Sequence, residues 1–140
     1  MHRIEETLAF KLLLARHALI DKRSQLEFAV MGLTRGNFVT LAIIAQYPGI
    51  TQSELSLKNL KDKNVIGHLV DKLEQKSLIR RSKCQTDRRS YQLFVTDKGQ
   101  AVVDGNWESF FNHGRTVLTS EEEKTLSHLL EKLLQEEVSL

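Results

Sequence analysis

Two polar and basic stretches in the middle of this 140-residue chain could contact nucleic acid. In the first stretch, Lys63, Asn64 and His68 would share the outer face of a helix. Side chains of these types can reach the base edges in the DNA major groove, where each base pair shows a distinct pattern of donors and acceptors. In the second stretch, Arg88 and Arg89 follow an aspartate, and arginine suits phosphates and the minor groove.

The charge of the chain is unevenly distributed around these residues. The net charge is only +2. Residues 58–89 hold ten basic and four acidic residues, a net charge of +6, whereas residues 90–140 hold four basic and nine acidic residues, a net charge of −5. The middle of the chain is therefore suited to a polyanion, although a solvated basic face would give the same distribution.

The first stretch is predicted to lie on the second of two short helices. Thr51-Gln52-Ser53-Glu54 is a capping box, which opens a helix near 52–58. Asn59 suits the following turn because asparagine tolerates a left-handed backbone. Asp62 can then cap a helix over about 63–76. The inner face of this helix would carry the apolar residues Val65, Ile66, Leu69, Val70 and Leu73.

Three further residues of these helices could contact phosphates. The amides at the start of the first short helix, with the side chains of Gln52 and Ser53, could hold a phosphate. Lys72, on the second helix, would contact a phosphate or pair with a neighbouring acid. His68 is equally compatible with an ordinary surface histidine.

The second stretch is predicted to be the tip of a β-hairpin. Leu78–Arg81 and Tyr91–Val95 are typical of short strands. The polar segment Ser82–Ser90 between them contains Arg88 and Arg89, which would contact DNA or be ordinary surface charges. Two short helices followed by a hairpin with a basic tip form the winged helix-turn-helix pattern.

Longer helices are predicted before this pattern. Apolar residues recur at spacings of three, four or seven over residues 4–30, which predicts one long helix. Thr34 can cap a further helix over about 35–47, with Leu33 and Phe38 as a hydrophobic staple across the cap.

Two more helices are predicted after it. Thr96 can cap a helix over about 97–113, and Thr119 opens the last helix, whose first turn is acidic. The last helix carries an apolar stripe of Leu126, Leu129, Leu130, Leu133 and Leu134. The stripes on 4–30 and 120–138 exceed what one small core can cover, which predicts a subunit interface.

The chain shows no signal of an enzyme. The five histidines include no helical pair at metal-ligand spacing, and there is no glycine-rich phosphate loop or nucleophile elbow. We therefore expect no cofactor and no metal.

A charged N-terminus and the lack of a run of about 20 apolar residues argue against a secretory signal or a membrane span. A single cysteine, Cys84, fits a reducing cytoplasm.

The run from Gly32 to Gly99 resembles the multiple-antibiotic-resistance regulator (MarR) family. The segments that carry the resemblance are Leu33-Thr34 with Phe38, Pro48-Gly49-Ile50-Thr51-Gln52-Ser53-Glu54-Leu55, Leu69-Val70-Asp71-Lys72-Leu73-Glu74 with Leu78-Ile79-Arg80-Arg81, and Asp87-Arg88-Arg89 with Val95-Thr96-Asp97-Lys98-Gly99. Each segment alone is weakly specific, whereas their order and spacing together are strongly specific.

The resemblance implies a mostly α fold with a small β-hairpin wing. Residues 33–96 would form the winged helix-turn-helix, and residues 1–30 and 97–140 would form a helical dimerisation part of the same single domain. The resemblance also implies a cytoplasmic homodimer that binds double-stranded DNA at a pseudo-palindromic operator, represses, and is released by a small aromatic or phenolic effector at an unknown site. Asp87 would pair with Arg89 and orient it toward the minor groove.

The chain departs from the family at three places. Asn59-Leu60 stand where the family usually has an apolar residue and then glycine, so the turn is expected to be shifted or reshaped. Ser77 replaces the usual glycine after the second short helix, which leaves open how that helix ends. Gly67 stands where a larger polar residue is common, at a cost of roughly 1 kcal/mol of helix stability relative to alanine.

Other interpretations remain open at this point. The winged helix could mediate protein–protein contacts, with its basic face incidental. The chain could also sense oxidants through Cys84, which could equally be an inert thiol. Trp107, Phe110 and Phe111 could line a ligand cleft or pack within the protein.

Overall fold

The computed structural model describes residues 3–21, 30–59, 61–86, 90–111 and 117–138, which form a mostly helical fold with a small antiparallel sheet. Its α-helices are α1 (Leu8–Arg16), α2 (Arg35–Gln46), α3 (Gln52–Asn59), α4 (Lys63–Gln75), α5 (Asp97–Phe111) and α6 (Ser120–Val138). Its strands are β1 (Ile50–Thr51), β2 (Ile79–Lys83) and β3 (Tyr91–Val95). The predicted fold class is confirmed.

The N-terminal helix begins later than predicted. Ile4–Glu6 form a short 3-10 turn, and the Thr7 side chain then caps α1 by accepting a hydrogen bond from the amide three residues on, at 3.3 Å. A π-helical turn follows at His17–Asp21, and residues 22–29 lie outside the described residues. The continuous helix predicted over 4–30 is therefore wrong at its start, because a capping threonine sets the first residue of the helix.

α2 lies at the centre of the core, and its N-terminus forms as predicted. The Thr34 hydroxyl accepts the Asn37 amide at 3.1 Å, and the Asn37 side-chain oxygen accepts the Thr34 amide at 2.8 Å, which makes a complete capping box. Leu33 and Phe38 are both buried, as a hydrophobic staple requires. The fully buried apolar residues of the core are Phe38, Leu41, Ile44, Leu55, Ile66, Val70, Leu73 and Leu93.

The two short helices also begin where the sequence predicts. The Thr51 hydroxyl accepts the Glu54 amide at 3.1 Å at the start of α3. The Asp62 carboxylate accepts the Val65 amide at 2.9 Å at the start of α4. Both caps satisfy amides that have no partner within the helix.

The turn between α3 and α4 differs from the prediction. Asn59 does not adopt a left-handed backbone; it is the last residue of α3, and its side-chain amide donates to the Thr40 hydroxyl of α2 at 3.0 Å. The Ser56 hydroxyl donates to the Lys61 carbonyl, and the Lys61 amide donates back to the Ser56 carbonyl at 3.3 Å. The side chains of Asn59 and Ser56 thus hold the described residues on either side of this turn. Leu60 lies outside the described residues.

α4 ends in a Schellman motif in which Ser77 occupies the position that favours glycine. Ser77 has a φ of 61°. The Leu78 amide donates to the Leu73 carbonyl at 3.0 Å, and the Ser77 amide donates to the Glu74 carbonyl at 2.9 Å. Leu73 and Leu78 are buried together. The helix therefore keeps the glycine-type ending without glycine.

The sheet has three strands in the order β1-β3-β2. β2 and β3 form the predicted antiparallel hairpin, with Ile79 opposite Val95 and Lys83 opposite Tyr91. β1 pairs with the other edge of β3, placing Ile50 opposite Leu93. We did not predict β1, because a two-residue strand is too short to show an alternating pattern.

α5 packs tightly against the end of α4. Thr96 caps α5 by accepting the Gly99 amide at 3.1 Å, as predicted, and its hydroxyl also donates to the Ser77 carbonyl at 2.7 Å. A Cβ atom on Gly99 would lie 2.1 Å from the Leu78 carbonyl oxygen, so only glycine fits at this contact.

The aromatic residues of α5 pack against one another and against Phe38 of α2, although Phe111 remains 41% exposed. The ring centroids of Phe110 and Phe38 are 5.0 Å apart, those of Phe110 and Phe111 are 4.7 Å apart, and those of Trp107 and Phe111 are 4.5 Å apart. This cluster favours packing over a ligand cleft, and it joins α5 to α2.

The two terminal helices present their apolar residues to solvent. No residue of α1 is buried, and none is buried between Ser120 and Gln135 of α6. Among the ranges listed above, no helix is long and apolar enough to cross a membrane.

Candidate nucleic-acid interface

The outer face of α4 carries the side chains predicted to contact bases. Ile66, Val70 and Leu73 hold the opposite face in the core with no exposure. Val65, which was predicted on that face, is instead 42% exposed. Asn64 and His68 are four residues apart and exposed on the outer face, and Lys63 is exposed beside them. Burial of one face thus fixes which side chains can meet a partner.

These three side chains are free to make contacts. Within the described part of the chain, none of them has a hydrogen bond or ion-pair partner. Gly67 on the same face has open space around its Cα. The arrangement leaves a polar surface that a groove-shaped partner could approach without first breaking internal bonds.

The residues predicted to contact phosphates lie around this surface. Ser53 is exposed and Gln52 is half-buried at the N-terminus of α3, where the first amides have no partner within the helix. Lys72 is half-buried on α4, and no acidic side chain among the described residues lies within ion-pair distance of it. The structure therefore gives no support to the alternative in which Lys72 pairs with a neighbouring acid.

An ion-pair cluster that the sequence analysis missed joins α4 to the wing. The Arg81 guanidinium on β2 donates to the Asp71 carboxylate of α4 and lies 3.7 Å from a carboxylate oxygen of Glu74. The three residues lie within one motif-bearing segment, but only the register of the hairpin against α4 shows that they meet. The cluster links the described part of the wing to α4 electrostatically.

The described part of the wing is also basic. The Arg80 guanidinium lies over the Phe94 ring, 4.5 Å from its centroid, and Lys83 is exposed at the end of β2. Asp87, Arg88 and Arg89 lie outside the described residues, so their predicted roles stay predictions.

Cys84 lies at the base of the hairpin tip. Its sulfur is 3.2 Å from the Thr86 hydroxyl, and its amide donates to the Ser90 carbonyl at 3.0 Å. The thiol is half-buried. Neither the redox role nor the inert role is tested by this placement.

A cavity of about 260 Å³ lies where the end of α4 meets α5 and the segment before α2. It is lined by Met31, Leu33, Lys76, Leu78, Lys98 and Val102. The Lys98 ammonium donates to the Lys76 carbonyl at 3.0 Å. The wall is therefore mostly apolar, with two cationic side chains.

Comparison with known proteins identifies relatives along most of the chain. The MarR family model matches residues 33–91. The HTH-type transcriptional regulator YybA of Bacillus subtilis is 30% identical over 117 residues, which cover 81% of this chain and 78% of YybA. The regulator BilQ of Clostridium symbiosum is 31% identical over 110 residues, which cover 76% of each chain.

Solved structures share the fold. The MepR–DNA complex of S. aureus superposes with a TM-score of 0.79 at 23% identity, covering 93% of this chain and 97% of MepR. Most of the described fold therefore has a counterpart among solved structures.

Proposed function

This chain is a member of the MarR family of transcription regulators, and from that premise we propose that it is a homodimeric repressor of a pseudo-palindromic DNA operator. The outer face of α4 is the observation that carries the proposal. Asn64 and His68 stand exposed and without an internal partner there, on a helix whose other face is anchored in the core. Such a helix can enter the major groove as a rigid unit.

Each part of the chain has a role in this proposal. Residues 33–96 form the DNA-binding part, and residues 1–30 and 97–140 form the dimerisation part. Lys63, Asn64 and His68 meet base edges, whereas Gln52, Ser53 and Lys72 meet phosphates. We further propose that Asp87 orients Arg89 into the minor groove and that Arg88 also contacts DNA. We also propose that the protein acts in the cytoplasm, where a DNA operator would be accessible to it.

Dimerisation is supported by the uncovered leucines. Leu126, Leu129, Leu133 and Leu134 of α6 are 43–51% exposed, and Leu8, Leu12, Leu13 and Leu14 of α1 are exposed as well. Apolar surface of this extent favours burial against a second copy of the chain. A two-fold dimer would present two α4 helices, which read half-sites about one helical turn, roughly 10 bp, apart.

A small effector is the remaining part of the proposal. The cavity lined by Lys76 and Lys98 over apolar side chains suits a small amphipathic anion, such as an aromatic carboxylate or a phenolate. It touches Lys76, the C-cap residue that follows α4, and Lys98 in the first turn of α5. An occupant could therefore shift the reading helix relative to the dimerisation part.

Selection of bound DNA from a random pool, followed by affinity measurements at several salt concentrations, tests the proposal. Asn64→Ala is expected to relax preference at one or two operator positions, at a cost of about 1–3 kcal/mol for the preferred base, with little change in salt dependence.

Arg89→Ala is expected to weaken binding to many sequences together and to lower the salt slope by about one charge. Failure of the selection to enrich any sequence would refute the proposed function.

A further inference from the structure

Arg81 is placed to control the charge of the DNA-facing helix. Its side chain is 23% exposed and reaches across from β2 to α4, where it contacts Asp71 and Glu74. Its Nε atom is buried and has no hydrogen-bond partner in the described part of the chain. The guanidinium is thus paired with two carboxylates of α4, so its role is expected to differ from that of an unpaired basic residue.

If α4 enters the groove as proposed, Asp71 lies where a carboxylate opposes DNA binding. It is seven residues after Asn64 and three after His68, which places it on the same outer face of α4, and its side chain is 58% exposed. Glu74 is 46% exposed one turn farther on. Two carboxylates on a helix that approaches a polyanion repel the phosphates unless a cation offsets them.

We infer that Arg81 is a positioning residue for DNA affinity, which acts by binding the carboxylates of Asp71 and Glu74 and offsetting their charge. With Arg81 in place the three side chains carry a net charge of −1, and without it they carry −2. The inference rests on the proposed function, since it takes α4 as the helix that enters the groove. It adds a determinant of affinity that does not itself contact DNA.

Three variants of the full-length protein separate this role from a purely structural tether. Arg81→Met removes the cation and keeps the length of the side chain. Asp71→Asn removes one carboxylate and keeps its shape. The double variant restores the net charge of −1. Affinity for a selected operator would be measured by fluorescence anisotropy across a salt series, with thermal unfolding of each variant as a check on folding.

Charge compensation predicts a specific pattern. Arg81→Met is expected to weaken binding roughly tenfold and to leave the salt slope nearly unchanged, because no phosphate contact is lost. Asp71→Asn alone is expected to leave binding unchanged or to tighten it up to about threefold, and in the Arg81→Met background to recover most of the tenfold loss. A tether predicts the opposite, because Asp71→Asn would then weaken binding by itself and could not rescue Arg81→Met.

Arg80 supplies a matched control. It is the neighbouring residue on β2, carries the same charge and stacks on Phe94 instead of contacting α4. In an Arg80→Met background, Asp71→Asn should have the same effect as in the parent protein, because these residues are not coupled.

The outcomes distinguish this inference from the proposed function. If the parent protein binds no selected DNA, the proposed function is wrong. If the parent binds but Asp71→Asn has the same effect with and without Arg81, the inference alone is overturned. Should Arg81→Met fail to fold, the single variant Asp71→Asn still decides, since weaker binding by that variant contradicts charge compensation.

Discussion

Between Leu33 and Phe110 every helix and strand buries at least one side chain, whereas α1 and α6 bury none among the described residues. The two regions nevertheless have similar apolar patterns in the sequence. In the winged helix the stripes of α2, α4 and α5 face one another. In the terminal helices the leucines face outward. An apolar stripe therefore indicates that a face is to be covered, but not whether the same chain covers it.

The winged helix and the terminal helices also differ in the interactions that stabilise them. The winged helix is held by a core, by close packing at Gly99 and by caps at its helix ends. The terminal helices rely on local caps at Thr7 and Thr119 within one chain and, under the proposed function, on a second chain. Changes in the two regions should therefore have different consequences, which the following experiments measure.

The largest expected effect is the loss of the dimer when the apolar face of α6 is made charged. Leu130→Asp combined with Leu133→Asp should give monomers or unfolded protein at micromolar concentration, because the carboxylates cannot be buried without partners. Sedimentation velocity and circular dichroism would measure this.

The matched control for this variant lies on the opposite face of α6. His128→Asp with Gln135→Asp adds the same two acids at exposed positions seven residues apart, and it should leave the dimer intact. Equal sedimentation of both double variants as dimers would show that the stripe is not the interface.

Much of the fold could be predicted from the sequence because its signals are local. The caps at Thr34, Asp62 and Thr119 each depend on residues within four positions, and the buried stripe of α4 depends only on helical periodicity. These features require no knowledge of what lies across the chain.

The missed features depend on distant parts of the chain. The Asn59–Thr40 hydrogen bond joins residues 19 positions apart. The two residues of β1 form a strand only because they pair with the edge of β3. The Arg81–Asp71 pair requires the hairpin to pack on α4. Spacing along the sequence does not reveal such contacts. At the candidate site, the outer face of α4 could be predicted from the sequence. The contact of Arg81 with Asp71 and Glu74, which changes the charge of that face, could not.

Gly99 should give the largest effect of a single substitution within the winged helix. Gly99→Ala places a Cβ atom 2.1 Å from the Leu78 carbonyl oxygen, so α5 must move away from the end of α4, and we expect a loss of about 3 kcal/mol of unfolding free energy. Gly105→Ala in the same helix meets nothing within 4 Å and should stabilise by up to about 1 kcal/mol. Urea unfolding of both variants measures the difference, and similar values for the two would contradict the close contact.

Ser77→Gly is expected to raise the free energy of unfolding, by less than Gly99→Ala lowers it. The φ of 61° at Ser77 costs a non-glycine residue about 1 kcal/mol, and Ser77→Gly should recover up to about that amount, less the added entropy of the unfolded chain. Ser127→Gly, at an exposed position inside α6, should instead destabilise by about 0.5–1 kcal/mol. If Ser77→Gly destabilises as Ser127→Gly does, the Schellman ending of α4 is incorrect.

The smallest expected effect is a pH dependence at the start of α6. The Thr119 amide donates to the Glu122 carboxylate at 2.9 Å. This bond, together with the one that the Thr119 side chain makes, lowers the pKa of Glu122 below its ordinary value of 4.5. A carboxyl whose pKa is lower in the folded state stabilises the fold above the unfolded pKa, and that contribution is lost as the pH falls through the folded pKa. Because Glu122 is exposed, salt should weaken the effect further.

Glu122→Gln tests this cap, since glutamine can keep the capping box but does not titrate. On acidification from about pH 5 to about pH 3, the parent protein should lose slightly more thermal stability than Glu122→Gln does. Glu121→Gln removes the same charge from the same turn without touching the bond to Thr119, so it should follow the parent. An identical pH dependence of all three proteins would show that the charge of Glu122 does not contribute to stability through its bond to Thr119.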